Sequence, residues 1–194
     1  MPIAFDLEGL RHEFNCETYL ETGLYDPHSG DISCKQALRA KFTKLYSIEI
    51  REDWVERGRE VFSGDLASGR LTLIRGDSTK LAAHLQDNPD FEKTVLFFLD
   101  AHVDNSNIHN YTKKCPLLEE LNAIKTLAIK HHVICVDDMR IIREAFPWGE
   151  TSYVGVNFEQ EIRNIILSIN PKYQFRYYDG VIPNDVLVAY VPKE

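Results

Sequence analysis

The apolar positions of this chain follow two periods that take turns. Short runs at 16–22, 44–50, 71–75, 95–99 and 132–136 are rich in β-branched and aromatic residues and predict five strands. Val95-Leu96-Phe97-Phe98-Leu99 and Val133-Ile134-Cys135-Val136 contain no polar residue, the pattern of strands covered on both faces. Between the runs the spacing turns helical. After a short helical lead, helices are expected from Ser33 to Phe42, from Arg51 until the pattern fades at Ser63-Gly64, and from Leu81 to Leu85. The next opens at Pro116, a favoured first-turn residue, and Leu117, Leu118, Leu121, Ile124 and Leu127 give it one apolar stripe. Ile162, Ile165, Ile166 and Ile169 mark a last helix, followed by closing strands at 173–178 and 186–191. A pair joined by so short a connection, through Asp179-Gly180 and Pro183-Asn184, should be antiparallel.

Strands alternating with helices imply a mostly parallel sheet with helices on both faces and right-handed crossovers. The 194 residues suffice for one domain with a substantial core, and no repeat, low-complexity tract or linker divides 1–194. A formal charge of −8 argues against a protein that grips a nucleic-acid backbone. Met1-Pro2-Ile3-Ala4-Phe5-Asp6 lacks the basic and apolar regions of a signal peptide, and no apolar stretch is long enough to span a membrane. Cys16, Cys34, Cys115 and Cys135 have neither CxxC pairing nor zinc spacing; Cys16 and Cys135 fall in predicted strands as core thiols. A cytoplasmic enzyme without membrane or nucleic-acid partners is the expectation.

Chemistry concentrates at strand ends. The fourth and fifth strands run into Asp100-Ala101-His102 and Asp137-Asp138. In an open parallel sheet, ligands sit beyond the carboxyl ends of the strands, so these three carboxylates should share one crevice. Such a group is unfavourable unless a cation, protons or a ligand compensates it, and a hard divalent ion is the simplest compensation. The alternative is that Asp137 or Asp138 caps the next helix and Asp100 opens a loop. Glu49, at the second strand's end, can accept hydrogen bonds from a ribose diol, and Gly76-Asp77-Ser78 can hold a polar ring or cap a helix. The first strand's end, Glu21-Thr22-Gly23, has neither GxGxxG nor a P-loop ending.

Taken in order, Glu-Thr-Gly, Ser-Ile-Glu, Gly-Asp-Ser and Leu-Asp-Ala-His close strands one to four. That order resembles class I S-adenosylmethionine-dependent methyltransferases over nearly the whole chain. The resemblance implies a Rossmann-like α/β fold whose seven-stranded, mostly parallel sheet has an antiparallel C-terminal strand. It implies S-adenosyl-L-methionine as cofactor, held by Glu21, Thr22, Gly23 and Ser33 around the first loop, Glu49 on the ribose, Asp77 and Ser78 at the adenine, and Asp100 near the methionine amine. The usual acidic-x-Gly-x-Gly run is reduced here to Gly23, with Pro27-His28-Ser29 before Gly30.

Leu-Asp-Ala-His, Cys115-Pro116-Leu117-Leu118-Glu119-Glu120-Leu121 and Val-Asp-Asp-Met-Arg further resemble the metal-dependent O-methyltransferase branch and small polysaccharide-associated methyltransferases. This implies Mg²⁺ or Mn²⁺ on Asp100, Asp137 and Asp138, and methylation of a hydroxyl on a small-molecule or glycan acceptor. His102 is the candidate base beside Asp100, with His109 and Lys113 as substitutes in the polar loop 104–114. Arg140 could neutralise the aspartates, hold an anionic acceptor or pair with a surface acid. Glu119-Glu120 reads as a solvated helix face, and the stretch from Glu144 to Gly149 as part of the acceptor pocket. A homodimer is the candidate assembly. The rivals are another Rossmann-like enzyme such as an oxidoreductase, and a catalytically inactive cofactor-binding protein on the same fold.

Overall fold

The computed structural model describes residues 3–103, 113–145, 147–149 and 154–193. Seven strands form one sheet: β1 (Thr18–Thr22), β2 (Lys44–Glu49), β3 (Leu71–Arg75), β4 (Val95–Leu99), β5 (Val133–Val136), β6 (Gln174–Tyr178) and β7 (Val186–Tyr190). Their order is β3-β2-β1-β4-β5-β7-β6. The first five are parallel, and β7 runs antiparallel to both β5 and β6, as the short closing connection requires. Eight helices accompany the strands among the described residues: α1 (Leu7–Phe14), α2 (Ser33–Arg39), α3 (Glu52–Val61), α4 (Ser63–Ala67), α5 (Leu81–Leu85), α6 (Leu117–Thr126), α7 (Met139–Ile142) and α8 (Phe158–Ile169). None is long and apolar enough to cross a membrane.

Because side chains alternate along a strand, the sheet buries two cores. Leu20, Ile48, Phe97 and Ile134 face α5, α6 and α8, whereas Tyr19, Leu45, Phe98 and Cys135 face α1 and α2. Every residue of β4 and β5 is buried, in line with their all-apolar sequences. Boundaries shift where local geometry intervenes. Asn15 ends α1 in the left-handed region and the backbone N–H of Cys16 returns to Arg11, so β1 starts at Thr18 and Cys16 precedes it. Lys41 takes φ 63° and turns Phe42 into the core, ending α2 early. The charged segment after Arg51 divides into α3 and α4 at Phe62, which is buried. All four cysteines are buried thiols; burial pushes the Cys16 thiol up to about 12, far from a reactive thiolate.

The ladder also sets the site. Thr22 is in register with both Ile48 and Leu99, and Leu99 with Val136. One residue further on, Gly23 donates to Ile48, Asp100 to Thr22 and Asp137 to Leu99. The residues that leave β1, β4 and β5 are therefore neighbours across the sheet. The order reverses between β1 and β4, the switch point where open sheets of this kind bind ligands.

Gly23 sits at φ 86°, and a Cβ there would lie 2.8 Å from the backbone oxygen of Asp100. Neither the backbone angle nor the rigid neighbour can give way cheaply. Gly23→Ala is expected to destabilise the protein by roughly 2 kcal/mol or more, read as a lower urea midpoint with an unchanged slope. A variant as stable as the parent would mean that β1 and β4 are not packed this closely.

Candidate active site

A cavity of about 320 Å³ opens at the carboxyl ends of β1, β2 and β4, within the range of small-molecule sites. Gly23, Glu49, Asp77, Ser78, Asp100, His102 and Asp138 all line it. Glu21, Thr22, Ser33 and Asp137 do not. Alternation explains Glu21: it shares a face with Tyr19, inside the core, where the Tyr19 hydroxyl donates to it at 3.0 Å and the Ser47 hydroxyl at 2.6 Å. Burial raises its pKa against these hydrogen bonds, and Ser33 at the start of α2 belongs to the same buried polar group.

Glu49 ends β2 almost wholly buried. Its carboxylate accepts backbone N–H groups from Arg51 at 2.8 Å and Tyr25 at 3.1 Å. Burial nonetheless raises its pKa, so further donors would be welcome at its remaining lone pairs. Asp77 unites the two readings of its segment: its carboxylate caps the turn at Ser78–Lys80 by accepting from Thr79 at 2.9 Å, and it also lines the cavity.

Carboxylates dominate the β4–β5 end. Burial, with the nearby Asp138 adding to it, pushes Asp100 up to about 7. Asp137 is pushed up to about 8 by burial and by Asp100 and Asp138. Asp138 adopts φ 60°, which turns its side chain back into the crevice. His102 lies between, with Nδ1 3.8 Å from Asp100 and 3.6 Å from Asp138. Its ring stacks on Trp148, centroids 4.8 Å apart at 24°. Burial lowers the His102 pKa and so favours the neutral imidazole, while Asp138 pulls the other way. His132 is remote from all of this, at the amino end of β5, where its Nδ1 accepts from Val95.

Ligand atoms of Asp100, His102 and Asp138 lie within 4.8 Å of one another, as do those of Asp137, Asp138 and Asp185. The three aspartates expected to form one metal set are thus split between two groups that share Asp138. Two carboxylates and an imidazole are a donor set that suits a divalent ion such as Mn²⁺ or Mg²⁺. The second group already contains a cation. Arg140 Nη1 lies 2.6 Å from Asp138 and also bridges to Asp185, so of its three sequence readings the structure selects neutralisation of the aspartates.

Three features escaped the sequence reading. Glu120 is wholly buried rather than solvated; burial pushes it up to about 8, with the Ser78 and Thr22 hydroxyls beside it. A signal existed, because position 120 is three residues from Leu117 and four from Ile124, on the stripe itself. Asp185, buried before β7, reaches the site only through the antiparallel closure, and no local pattern marks it. Tyr25, Arg51 and Trp54 line the cavity beside Glu49. Lys113 and Trp148 line it too, whereas His109 and Phe146 lie outside the described residues.

This topology and cavity define the class I methyltransferase fold. Similar solved structures include an O-methyltransferase from Bacillus cereus in complex with SAH, at 15% identity and TM-score 0.61, covering 96% of this chain and 79% of that one. The O-methyltransferase TomG from Streptomyces achromogenes, involved in tomaymycin synthesis and solved with SAM, matches at 17% identity and TM-score 0.60, covering 96% and 78%. A candidate rRNA methylase from Clostridium thermocellum matches at 15% identity and TM-score 0.54, covering 97% and 98%. No protein-family profile matches the chain, and no curated protein matches its sequence.

Proposed function

We propose that this protein is an S-adenosylmethionine-dependent methyltransferase that methylates a hydroxyl of a small-molecule or glycan acceptor with the help of a divalent ion. The observation that carries the reading is the cavity at the switch point. Along one wall it presents, in strand order, a glycine held against the β4 end, a ribose-ready Glu49, the Asp77-Ser78 turn and Asp100. The O-methyltransferases among the structural neighbours support the reaction class, and the charge of −8 weighs against an RNA acceptor.

Methyl transfer forms an O–C bond, breaks the S–C bond of the sulfonium and releases one proton from the acceptor hydroxyl. His102 is the base in this reading. The carboxylates 3.6 and 3.8 Å from its Nδ1 favour a proton on that nitrogen, which leaves Nε2 with a lone pair for the hydroxyl proton. Trp148 fixes the ring plane by stacking. Asp100 and Asp138 would hold the divalent ion, with Asp137 behind them; when bound, such an ion lowers the pKa of a chelated hydroxyl and orients it. A second reading makes His102 Nδ1 a metal donor, favoured by its place in the group with Asp100 and Asp138. The two roles exclude each other, since a metal on Nδ1 keeps the proton on Nε2.

Calorimetric titration of S-adenosylhomocysteine, with Mn²⁺ and again in chelator, tests the cofactor assignment; binding is expected in both. Absence of binding in either condition ends the methyltransferase reading. Mn²⁺ titration of His102→Ala separates the two roles of the histidine. Unchanged Mn²⁺ affinity fits a base, and an affinity loss fits a ligand.

A further inference from the structure

The turn after β5 carries a cation that two carboxylates share. Arg140 Nη1 lies 2.6 Å from Asp138 Oδ1 and also pairs with Asp185 Oδ2. The two acids are not held alike. Asp185 is fully buried, and its side chain also accepts the backbone N–H groups of Arg140 at 2.9 Å and Val181 at 3.1 Å. Its carbonyl accepts from Met139 at 2.8 Å, and a Cβ added at Gly180 would stand 2.9 Å from its own Cβ. Asp185 is therefore locked in place, and the backbone of Arg140 with it. Asp138 faces two ways. Its Oδ1 meets Arg140, whereas its Oδ2 lies 3.6 Å from His102 Nδ1, on the side of Asp100. Among the described residues, Asp138 is also the one that belongs to both clusters of potential ligand atoms.

Charge gives this arrangement a consequence. Crowded carboxylates at the β4–β5 end would repel one another without a counter-charge, and Arg140 supplies one before any ion enters. The same guanidinium then stands in the way of an incoming ion. A carboxylate that already neutralises a guanidinium has less negative potential to offer, and two cations on one carboxylate repel each other. A second anion beside the guanidinium takes up part of its charge and relieves the first. We propose that Arg140 is a resident counter-ion that competes with a divalent cation for Asp138, and that Asp185 is a positioning residue that moderates this competition by sharing the guanidinium. Affinity for the ion is thus held down by the chain's own cation and tuned by a residue 45 positions away, from the connection between β6 and β7. The identity of the competing ion rests on the metal-assisted function proposed above; the sharing of one guanidinium by two carboxylates does not.

Calorimetric titration of Mn²⁺ into the full chain at one fixed pH reads the competition. Arg140→Gln should bind Mn²⁺ about tenfold or more tightly than the parent, and Arg140→Lys, which keeps the charge, within about threefold of it. A side chain that merely braces Asp138 predicts the opposite sign, weaker binding in Arg140→Gln. Unchanged or weaker binding there overturns the competition, as does equal tightening in Arg140→Lys. The Arg140 side chain is partly exposed, so these two variants carry the test even if Asp185→Asn does not fold. Asp185→Asn leaves the guanidinium to Asp138 alone and should bind Mn²⁺ about threefold to tenfold more weakly, with no further effect once Arg140→Gln is present. A loss that persists in the double variant would make Asp185 a ligand and overturn its positioning role. The function and the competition fail separately. A parent that binds Mn²⁺ no more weakly than Arg140→Gln keeps the metal and loses the competition. A parent that binds none, beside an Arg140→Gln variant that does, keeps the competition and loses the metal-assisted function. Absence of binding in both ends the two together.

Discussion

In chelator, the protein is expected to melt on the order of 10 °C lower at pH 8.5 than at pH 6.5, and Mn²⁺ should recover much of the difference at the higher pH. The cause is three carboxyls whose pKa values are raised in the folded chain: Asp100 to about 7, Asp137 to about 8 and Glu120 to about 8. A raised acid favours the protonated form in the native state. Its contribution is complete below the unfolded value near 4 and is lost as pH rises through the folded value. Between pH 6.5 and 8.5 the unfolded chain has already ionised, whereas the native chain must still release these protons. The loss across that window is on the order of 4 kcal/mol. Burial lowers the pKa of His102 and takes that of His132 to about 3, so both act on the acid side of the window, where stability falls as pH drops. Mn²⁺ binds the ionised aspartates and so pulls in the opposite direction to the protons. Glu120→Gln keeps the neutral shape without the titration and should flatten part of the slope while leaving the Mn²⁺ effect in place. A melting temperature that does not change from pH 6.5 to 8.5 in chelator would show that the three groups ionise without penalty, and the electrostatic account of the site would fail.

The paired substitution Asp137→Asn with Asp138→Asn should lower Mn²⁺ affinity by about a hundredfold or more and reduce methyl transfer at least as much. S-adenosylhomocysteine affinity should stay within about threefold, because Gly23, Glu49, Asp77 and Ser78, proposed to hold it, line other parts of the cavity. The fold is expected to survive. The Asp137 side chain accepts the backbone N–H of Asp138 at 2.8 Å, and an asparagine oxygen can do the same. Arg140 keeps Asp185 as partner once Asp138 loses its charge. Removing two crowded carboxylates should even raise the melting temperature at pH 8.5. Full turnover by this variant in chelator would remove the metal from the mechanism. Loss of S-adenosylhomocysteine binding together with Mn²⁺ would instead mean that the aspartates shape the cofactor site.

The local pattern carried a great deal of this protein. Apolar β4 and β5 read as strands covered on both faces, their alternation with helices implied a mostly parallel sheet, and the short closing connection implied the antiparallel pair. Because ligands gather at strand ends in such a sheet, Glu49, Asp77, Asp100 and Asp138 were legible as cavity residues from position, and Gly23 from the family resemblance. What the chain did not disclose depends on groups brought together from distant segments. Glu21 turned into the core because strand alternation put it on the face of α2, where Ser47 from β2 could meet it. Asp185 reached Arg140 across 45 positions, and with it Asp138, because β7 runs back beside β5. The division of the aspartates into two groups, and the lowered pKa of His102 between them, followed from distances and burial that no spacing encodes. Sequence periodicity fixes which face of an element is buried; desolvation and charge pairing depend on what the other elements place there, and only the assembled sheet decides that.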